Sequence, residues 1–355
     1  MNFGFTEEQE LFRQLIDRFV EEEAPREATR EWDRAHRFPM DVVQKAAKNG
    51  WCAITLPEEF GGAGLGTIEQ TIFYEALSKY TQDLAVVIGL TNWGANSIAR
   101  HGTREQKERY LPKVAGAELR FSFGLTEPNS GSDAAALQTR AVRDGDAYVI
   151  RGSKMFTTGA HLPGTRIMLA ARTDPKLPKQ QGISFFVTDT RLPGVTINRL
   201  ETVGRWIAGT NECVFEDVRV PAEERLGEEN AGWSIILGQL ATERIATAAC
   251  YLGTGQAAAR DAIAYANQRE QFGRSIGSFQ AIQHMIADMQ TMVDAARLLT
   301  YRAAWAVDAG QAALKETSMA KLFAGEMAQK VTGDGMQVLA GYAYMMEYDM
   351  QRYWR

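Results

Sequence analysis

The sequence predicts a multidomain α+β chain, with an α-helical domain over residues 1–118, a β domain over 119–228 and a helical bundle over 229–355. Three observations predict it. Before residue 118, apolar residues recur at helical spacing behind capping signals. Between 119 and 228 the chain breaks into short runs rich in Val, Ile, Phe and Thr, separated by Gly, Pro and Asp. From Gly232 the helical period returns. At 355 residues the chain has room for two or three cores, at roughly 150 residues per domain.

Taken in order, Thr6 and Gln9 form a capping box. Leu11, Phe12, Leu15, Ile16, Phe19 and Val20 follow, and their spacing predicts one apolar stripe. Pro39 at a first turn and Gly50 just past a last one bracket another helix, and Thr67/Gln70 and Thr103/Gln106 repeat the capping signal. The runs AYVIRGSKMFTTGA, RIMLAART, GISFFVTDT, GVTINRLE and ECVFEDVRV read as strands. Beyond Gly232, Ile236, Leu240 and Cys250 share one stripe, and Ile282, Met285, Ile286, Met289 and Val293 another. Methionines at that spacing read as core filler rather than as a binding surface.

Charge excludes several classes of function. With 39 basic against 44 acidic side chains, interspersed, no nucleic-acid footprint or polybasic membrane patch forms. The acidic start MNFGFTEEQE does not suit a signal peptide, and no apolar run reaches membrane-spanning length, so a cytoplasmic protein is expected. Cys52, Cys213 and Cys250 form no CxxC pair, and the histidines at 36, 101, 161 and 284 lack ligand spacing, so no metal is expected. Gly273-Arg-Ser-Ile-Gly277 fits G-x-S-x-G but follows a helix, with only His284 close behind, which argues against a serine hydrolase. The glycine-rich EFGGAGLG lacks the dinucleotide register and reads as a loop.

Three segments carry the chemistry. GLTEPNSGSD, at 124–133, offers the hydroxyls of Thr126, Ser130 and Ser132, and Gly131 permits close approach of backbone amides to a carbonyl or phosphate oxygen. A loop that bonds only to itself explains the same residues. In KMFTTGA, Phe156 and Thr158 stand two apart on a strand and share a face, which suits a flat heterocycle with an edge acceptor. In NQREQFG, Arg269 offers a fork for pyrophosphate and Phe272 a second flat surface.

Together with PEEFGGAGLG, RSIGSFQAIQ and MQVLAGYAY, these segments resemble the acyl-CoA dehydrogenase family of flavoproteins along essentially the whole chain. The resemblance implies a helical N-terminal domain, a β middle domain of barrel or sandwich type and a C-terminal four-helix bundle. It implies FAD as cofactor, an acyl-CoA substrate, an electron-transferring flavoprotein as partner, and a homo-oligomer, a tetramer or at least a dimer. It makes Phe123, Leu125, Thr126 and Ser132 flavin-edge and phosphate contacts, Ser132 also lying near the acyl-CoA. Phe156 would cover the ring and Thr158 bond its N5 side. Arg269, Phe272, Gln280 and the segment from Gln337 to Gly341 would reach the FAD of a neighbouring subunit. There are departures: Phe156 stands where many relatives have Trp, Asn129 and Ser130 where Gly and Ala are usual, and Ala340 and Ala343 replace common glycines.

The family reaction needs a carboxylate base to take a proton from the carbon beside the thioester. Relatives place it on a loop near the C-terminus or on a helix just before an arginine. The chain stops at Arg355, short of the first place, and a further loop and helix are expected beyond it. Glu243-Arg244 fills the second, as in isovaleryl-CoA and long-chain enzymes, with Arg244 on the substrate side. Glu243 falls on the stripe of Ile236, Leu240 and Cys250, an apolar setting expected to raise its pKa, with the Thr247 hydroxyl tempering the rise. A glutamate pairing with a basic neighbour at a helix seam explains the same position. Two alternatives stay open: an acyl-CoA oxidase or flavin monooxygenase on the same fold, and a non-catalytic acyl-CoA binder. Acyl chain length depends on pocket depth, which Trp93 or Tyr251 would limit.

Overall fold

A computed structural model describes residues 4–355 and, at Ala241, the backbone alone. The first three residues of the acidic start lie outside the described residues. Helices α1 (Glu7–Glu23), α2 (Arg26–Arg34), α3 (Met40–Lys48), α4 (Thr67–Leu77), α5 (Gln82–His101) and α6 (Arg104–Ala115) come first. Strands β1 (Arg120–Gly124), β2 (Arg140–Asp144), β3 (Ala147–Thr158), β4 (Thr165–Arg172), β5 (Ile183–Asp189), β6 (Val195–Arg199), β7 (Thr210–Pro221) and β8 (Arg225–Leu226) follow. Helix α7 (Gly232–Gln268), the hairpin β9 (Glu270–Gln271) and β10 (Arg274–Ser275), then α8 (Gln280–Asp308), α9 (Leu314–Leu339) and α10 (Met350–Trp354) complete the chain. The order is helical, then sheet, then helical, as the sequence predicts. By contacts the chain divides into two compact units, one of residues 1–35, 66–86 and 241–355, the other of 36–65 and 87–240.

In the second unit, eight strands form one sheet in the order β6-β7-β3-β2-β4-β5-β8, and β1 pairs in parallel with β4. The period of two sorts the side chains. Ile167, Leu169 and Ala171 of β4 join Tyr148, Phe186 and Phe215 in one core, while Met168 and Ala170 join Phe121, Phe185 and Leu226 in another with Ile98, Tyr110 and Leu111. β4 and β5 are thus apolar on both faces, which explains their unbroken hydrophobic runs. The strands β1 and β2 were not foreseen. β2 reads RAVRD and buries one residue of five, so it carries no strand signal of its own. It forms by pairing with β3.

In the first unit, α8 and α9 pack with the later turns of α7 through small residues, among them Ala258, Ala262, Ala303, Ala320 and Ala324, around Met289, Val293 and Met327. Gly253 allows a closer approach still, since a Cβ there would lie 2.1 Å from the carbonyl oxygen of Glu75. Asp349 of the segment before α10 is fully buried and pairs with Arg26 at 2.8 Å, Arg30 at 2.7 Å and Arg352 at 2.8 Å.

Three local expectations need correction. The α1 stripe divides: Ile16, Phe19 and Val20 are buried, but Leu11 and Leu15 are 61% and 52% exposed, because they sit one step round the helix from the buried line. Helix α4 opens at Thr67 with Gly66 as its cap, so no Thr67/Gln70 box forms. The Gly66 N–H donates to Glu69 Oε2 at 3.0 Å, and the Thr67 and Ile68 N–H groups donate to the Asp308 carboxylate at 2.7 and 3.0 Å. Pro39 stands at the cap of α3 rather than inside its first turn. The boxes at Thr6/Gln9 and Thr103/Gln106 form as expected.

Candidate active site

The 124–133 turn leaves β1 and partly holds itself. Glu127 N–H donates to Ser130 O at 3.0 Å, Ser130 N–H to Glu127 O at 3.1 Å, and Ser130 Oγ–H to Asp133 O at 2.8 Å. Asp133 pairs with Lys179 at 2.7 Å. The self-bonding explanation therefore accounts for Ser130, while the Asp133 carboxylate is held by Lys179 outside the turn. It does not account for Gly131 and Ser132, which are exposed, nor for half-buried Thr126. A Cβ at Gly131 would meet no protein atom within 4 Å, and the residue is not left-handed. Nothing inside the protein requires glycine there, so the open space in front of it suits a ligand.

Across from the turn, β3 ends in a bulge. Its pairing with β7 slips between Lys154 and Thr157, and Phe156 takes a φ of +60°, a left-handed conformation unfavourable for an aromatic residue. Phe156 is 61% exposed, Thr157 is buried and Thr158 half-buried, so the bulge keeps Phe156 and Thr158 off the buried face despite the break in pleating. Met155 N–H donates to Thr126 O at 2.8 Å, which joins strand to turn. Phe123 differs from the rest of the set. Its ring lies 4.0 Å from that of Trp93 and 5.4 Å from that of Phe185, centroid to centroid, so it belongs to the core and leaves its backbone for any ligand.

Behind this surface lies an ion pair that the sequence reading passed over. Lys154 Nζ donates to Glu127 Oε1 at 2.7 Å and to Leu125 O at 3.1 Å, and both side chains are buried. The N–H groups of Gln138 and Thr139 donate to the same carboxylate at 2.6 and 2.9 Å. Burial pushes the Lys154 ammonium down to about 8 against the pull of Glu127. Burial alone would raise the Glu127 carboxyl, but Lys154 and the backbone donors hold it below its ordinary value. The available signal was one Glu and one Lys set in otherwise apolar or hydroxyl-bearing motifs.

In the other unit, Glu243 and Arg244 are both half-buried on α7. Thr247 Oγ–H donates to Glu243 Oε1 at 2.8 Å, while Arg244 Nη1 donates to Ser318 Oγ at 3.4 Å. Arg244 is thus turned to α9 and makes no salt bridge with Glu243. At the far end of α7, Arg269 and Gly341 line one open groove of about 520 Å³ with Tyr265, Tyr342 and Met345. The Arg269 guanidinium lies over the Tyr342 ring at 5.8 Å. Phe272, Gln280 and Gln337 are exposed but do not line this groove. Phe272, with φ +56°, and Gly273, with φ +76°, form the two-residue turn of the β9–β10 hairpin. Ser275 ends that hairpin, so no strand–turn–helix elbow forms. Ala340 adopts φ +51° and ψ −130°, a conformation that favours glycine, while Ala343 is buried in the bundle core. A Cβ at Gly341 would meet no protein atom within 4 Å. No metal-binding cluster and no helix long and apolar enough to cross a membrane occurs among the described residues.

Residues 6–118, 122–218 and 230–355 match, in turn, the acyl-CoA dehydrogenase N-terminal, middle and C-terminal domain families. The chain is 39% identical over 357 residues to the short-chain specific acyl-CoA dehydrogenase of Clostridium acetobutylicum, covering 100% of this chain and 93% of that protein. It is 36% identical over 353 residues to subunit CarC of the caffeyl-CoA reductase–Etf complex of Acetobacterium woodii, covering 99% and 93%. The solved butyryl-CoA dehydrogenase of Megasphaera elsdenii superposes with a TM-score of 0.94 at 33% identity, covering 100% and 93%. The FAD complex of PigA does so with a TM-score of 0.93 at 27% identity, again covering 100% and 93%.

Proposed function

The chain belongs to the acyl-CoA dehydrogenase family, and from that premise we propose that it desaturates an acyl-CoA thioester with FAD as acceptor and Glu243 as base. The product is a trans-2-enoyl-CoA. FAD is the cofactor expected of the family, and the donor set suits it: exposed Phe156 for a flat ring, the hydroxyls of Thr126 and Thr158 beside it, and free space before Gly131. In the other unit Arg269, in an open groove with Gly341, suits a dinucleotide phosphate. FAD, when bound, supplies the two-electron acceptor for the hydride leaving the carbon β to the thioester carbonyl. The Glu243 carboxylate takes the proton from the α carbon, and the Thr247 hydroxyl holds that carboxylate in one orientation. Ser132 and Arg244 are assigned to the acyl-CoA, and Leu125 and Phe123 to the cofactor through their backbone.

The single observation that carries the choice of base is the hydrogen bond from Thr247 to a half-buried Glu243 that no cation among the described residues neutralises by a salt bridge, unlike an ordinary seam glutamate. One relative, named as a subunit of a caffeyl-CoA reductase–Etf complex, supports an electron-transferring flavoprotein as the electron acceptor. A homo-oligomer is supported by the exposed Leu298, Trp305, Leu314 and Leu322 on the long C-terminal helices, apolar surface that a second copy would cover. Anaerobic addition of a graded series of acyl-CoAs to the purified yellow protein tests the reading. Bleaching of the visible flavin band by at least one chain length is expected, and persistence of colour with all of them contradicts it. Rapid recovery of colour in air would assign the protein to the oxidases.

A further inference from the structure

The 124–133 turn and the end of β3 are separate stretches of chain, and a flat ring lying on Phe156 needs them at a fixed spacing. At the surface, a backbone hydrogen bond from Met155 N–H to Thr126 O at 2.8 Å joins them. Phe156 sits next to it in a left-handed conformation that an aromatic residue adopts only where its surroundings impose it. Two residues before Phe156 in the chain, a buried ion pair begins. One ammonium and one carboxylate gather three segments of chain: Lys154 from β3, Leu125 and Glu127 from the turn, and the N–H groups of Gln138 and Thr139 from the segment leading into β2.

We propose that Glu127 and Lys154 are positioning residues for the cofactor, their buried ion pair fixing the backbone of Leu125 and Thr126 against the bulged end of β3. The proposal rests on the FAD reading above. Lys154 is 0% and Glu127 7% exposed, and both carboxylate oxygens of Glu127 are taken up by Lys154 and the Gln138 and Thr139 N–H groups, so the pair acts through the backbone it holds. Stability does not explain the pair. Two charges taken from water recover their desolvation only with good geometry, and apolar replacements of buried pairs are often neutral or stabilising. Burial works against the Lys154 charge, and Arg172, which donates to Ala135 O at 2.6 Å on the same loop, adds a second cation nearby. A pair kept at such a cost next to the join between Thr126 and the strand that carries exposed Phe156 is explained by the geometry it imposes there.

The test compares wild type with Lys154→Met, Glu127→Gln and the protein carrying both, each stripped of flavin and titrated with FAD by fluorescence quenching. Each single change leaves one buried charge unpaired, so both thermal stability and FAD affinity fall. The double change removes the unpaired charge: thermal stability returns to the wild-type level or above, while FAD affinity stays roughly tenfold or more below wild type. Full recovery of FAD affinity in the double variant overturns the proposal, since the pair would then serve folding alone. Should wild type itself take up no FAD, the functional reading fails, and amide exchange in the flavin-free protein decides this inference. Exchange at Met155, Gln138 and Thr139 is expected to quicken about tenfold in the double variant while β4 and β5 stay protected. Unchanged exchange at those three amides overturns it.

Discussion

Thr247 donates a 2.8 Å hydrogen bond to the carboxylate of Glu243, one helical turn earlier on α7. The bond engages one carboxylate oxygen, and the proposed base chemistry needs the other. Thr247→Val keeps the shape of the side chain and removes the donor. Flavin reduction by a good acyl-CoA is expected to slow by roughly tenfold, the worth of one hydrogen bond to a charged group, with FAD content unchanged. Stopped-flow absorbance measures it, and an unaltered rate removes Thr247 from the account.

Gly131 offers a change with no cost inside the protein. Because a Cβ there meets no protein atom and the backbone is not left-handed, Gly131→Val should leave the flavin-free protein within about 0.5 kcal/mol of wild type in urea unfolding. If FAD lies against Gly131 as proposed, its affinity should fall tenfold or more, because the added methyls would occupy that space. Equal loss of stability and affinity would show that the glycine serves the fold.

Asp349 faces Arg26, Arg30 and Arg352 and is fully buried. Asp349→Ala leaves three guanidinium groups around an empty site, and a loss of about 3–5 kcal/mol is expected in chemical denaturation. A loss below 1 kcal/mol would mean that water already carries those charges.

Glu127 makes stability depend on pH on the acid side. Its folded pKa lies below the ordinary 4.5, so the stability it contributes is fully present above 4.5 and is lost as pH falls through the folded value. The difference in thermal midpoint between wild type and Glu127→Gln should be widest near neutrality and should shrink below pH 4.5. A difference that stays constant down to strong acid contradicts the ionised pair.

The fold class was legible because its evidence is local. Capping boxes at Thr6 and Thr103, and the change from a period near 3.6 to one of two, are written in neighbouring residues. What escaped depends on distant partners. The start of α4 is set by Asp308, 241 residues away, and β2, which buries one residue of five, holds its place by backbone pairing with β3 and with the later strand β4. The same holds for the site. Phe156, Thr126 and Gly131 were readable from hydroxyl, aromatic and glycine chemistry, and Arg269 and Gly341 do share a groove. Lys154 and Glu127 were hidden, since a charge seldom signals burial until its partner, 27 residues off in the chain, is seen beside it. Phe123 adds what the motif could not tell: its ring packs against Trp93 in the core, which leaves its backbone for the cofactor contact that the resemblance implies.

Glu243 is the point on which the proposed chemistry turns. Glu243→Gln preserves size and can still accept from Thr247, so the variant should purify yellow with FAD bound. Anaerobic titration of this variant beside wild type, with the acyl-CoA that reduces wild type fastest, is the most direct measurement. The account predicts that wild type bleaches while Glu243→Gln keeps its colour, slowed by at least a thousandfold. Bleaching of the variant at the wild-type rate would contradict it and assign proton removal to another carboxylate.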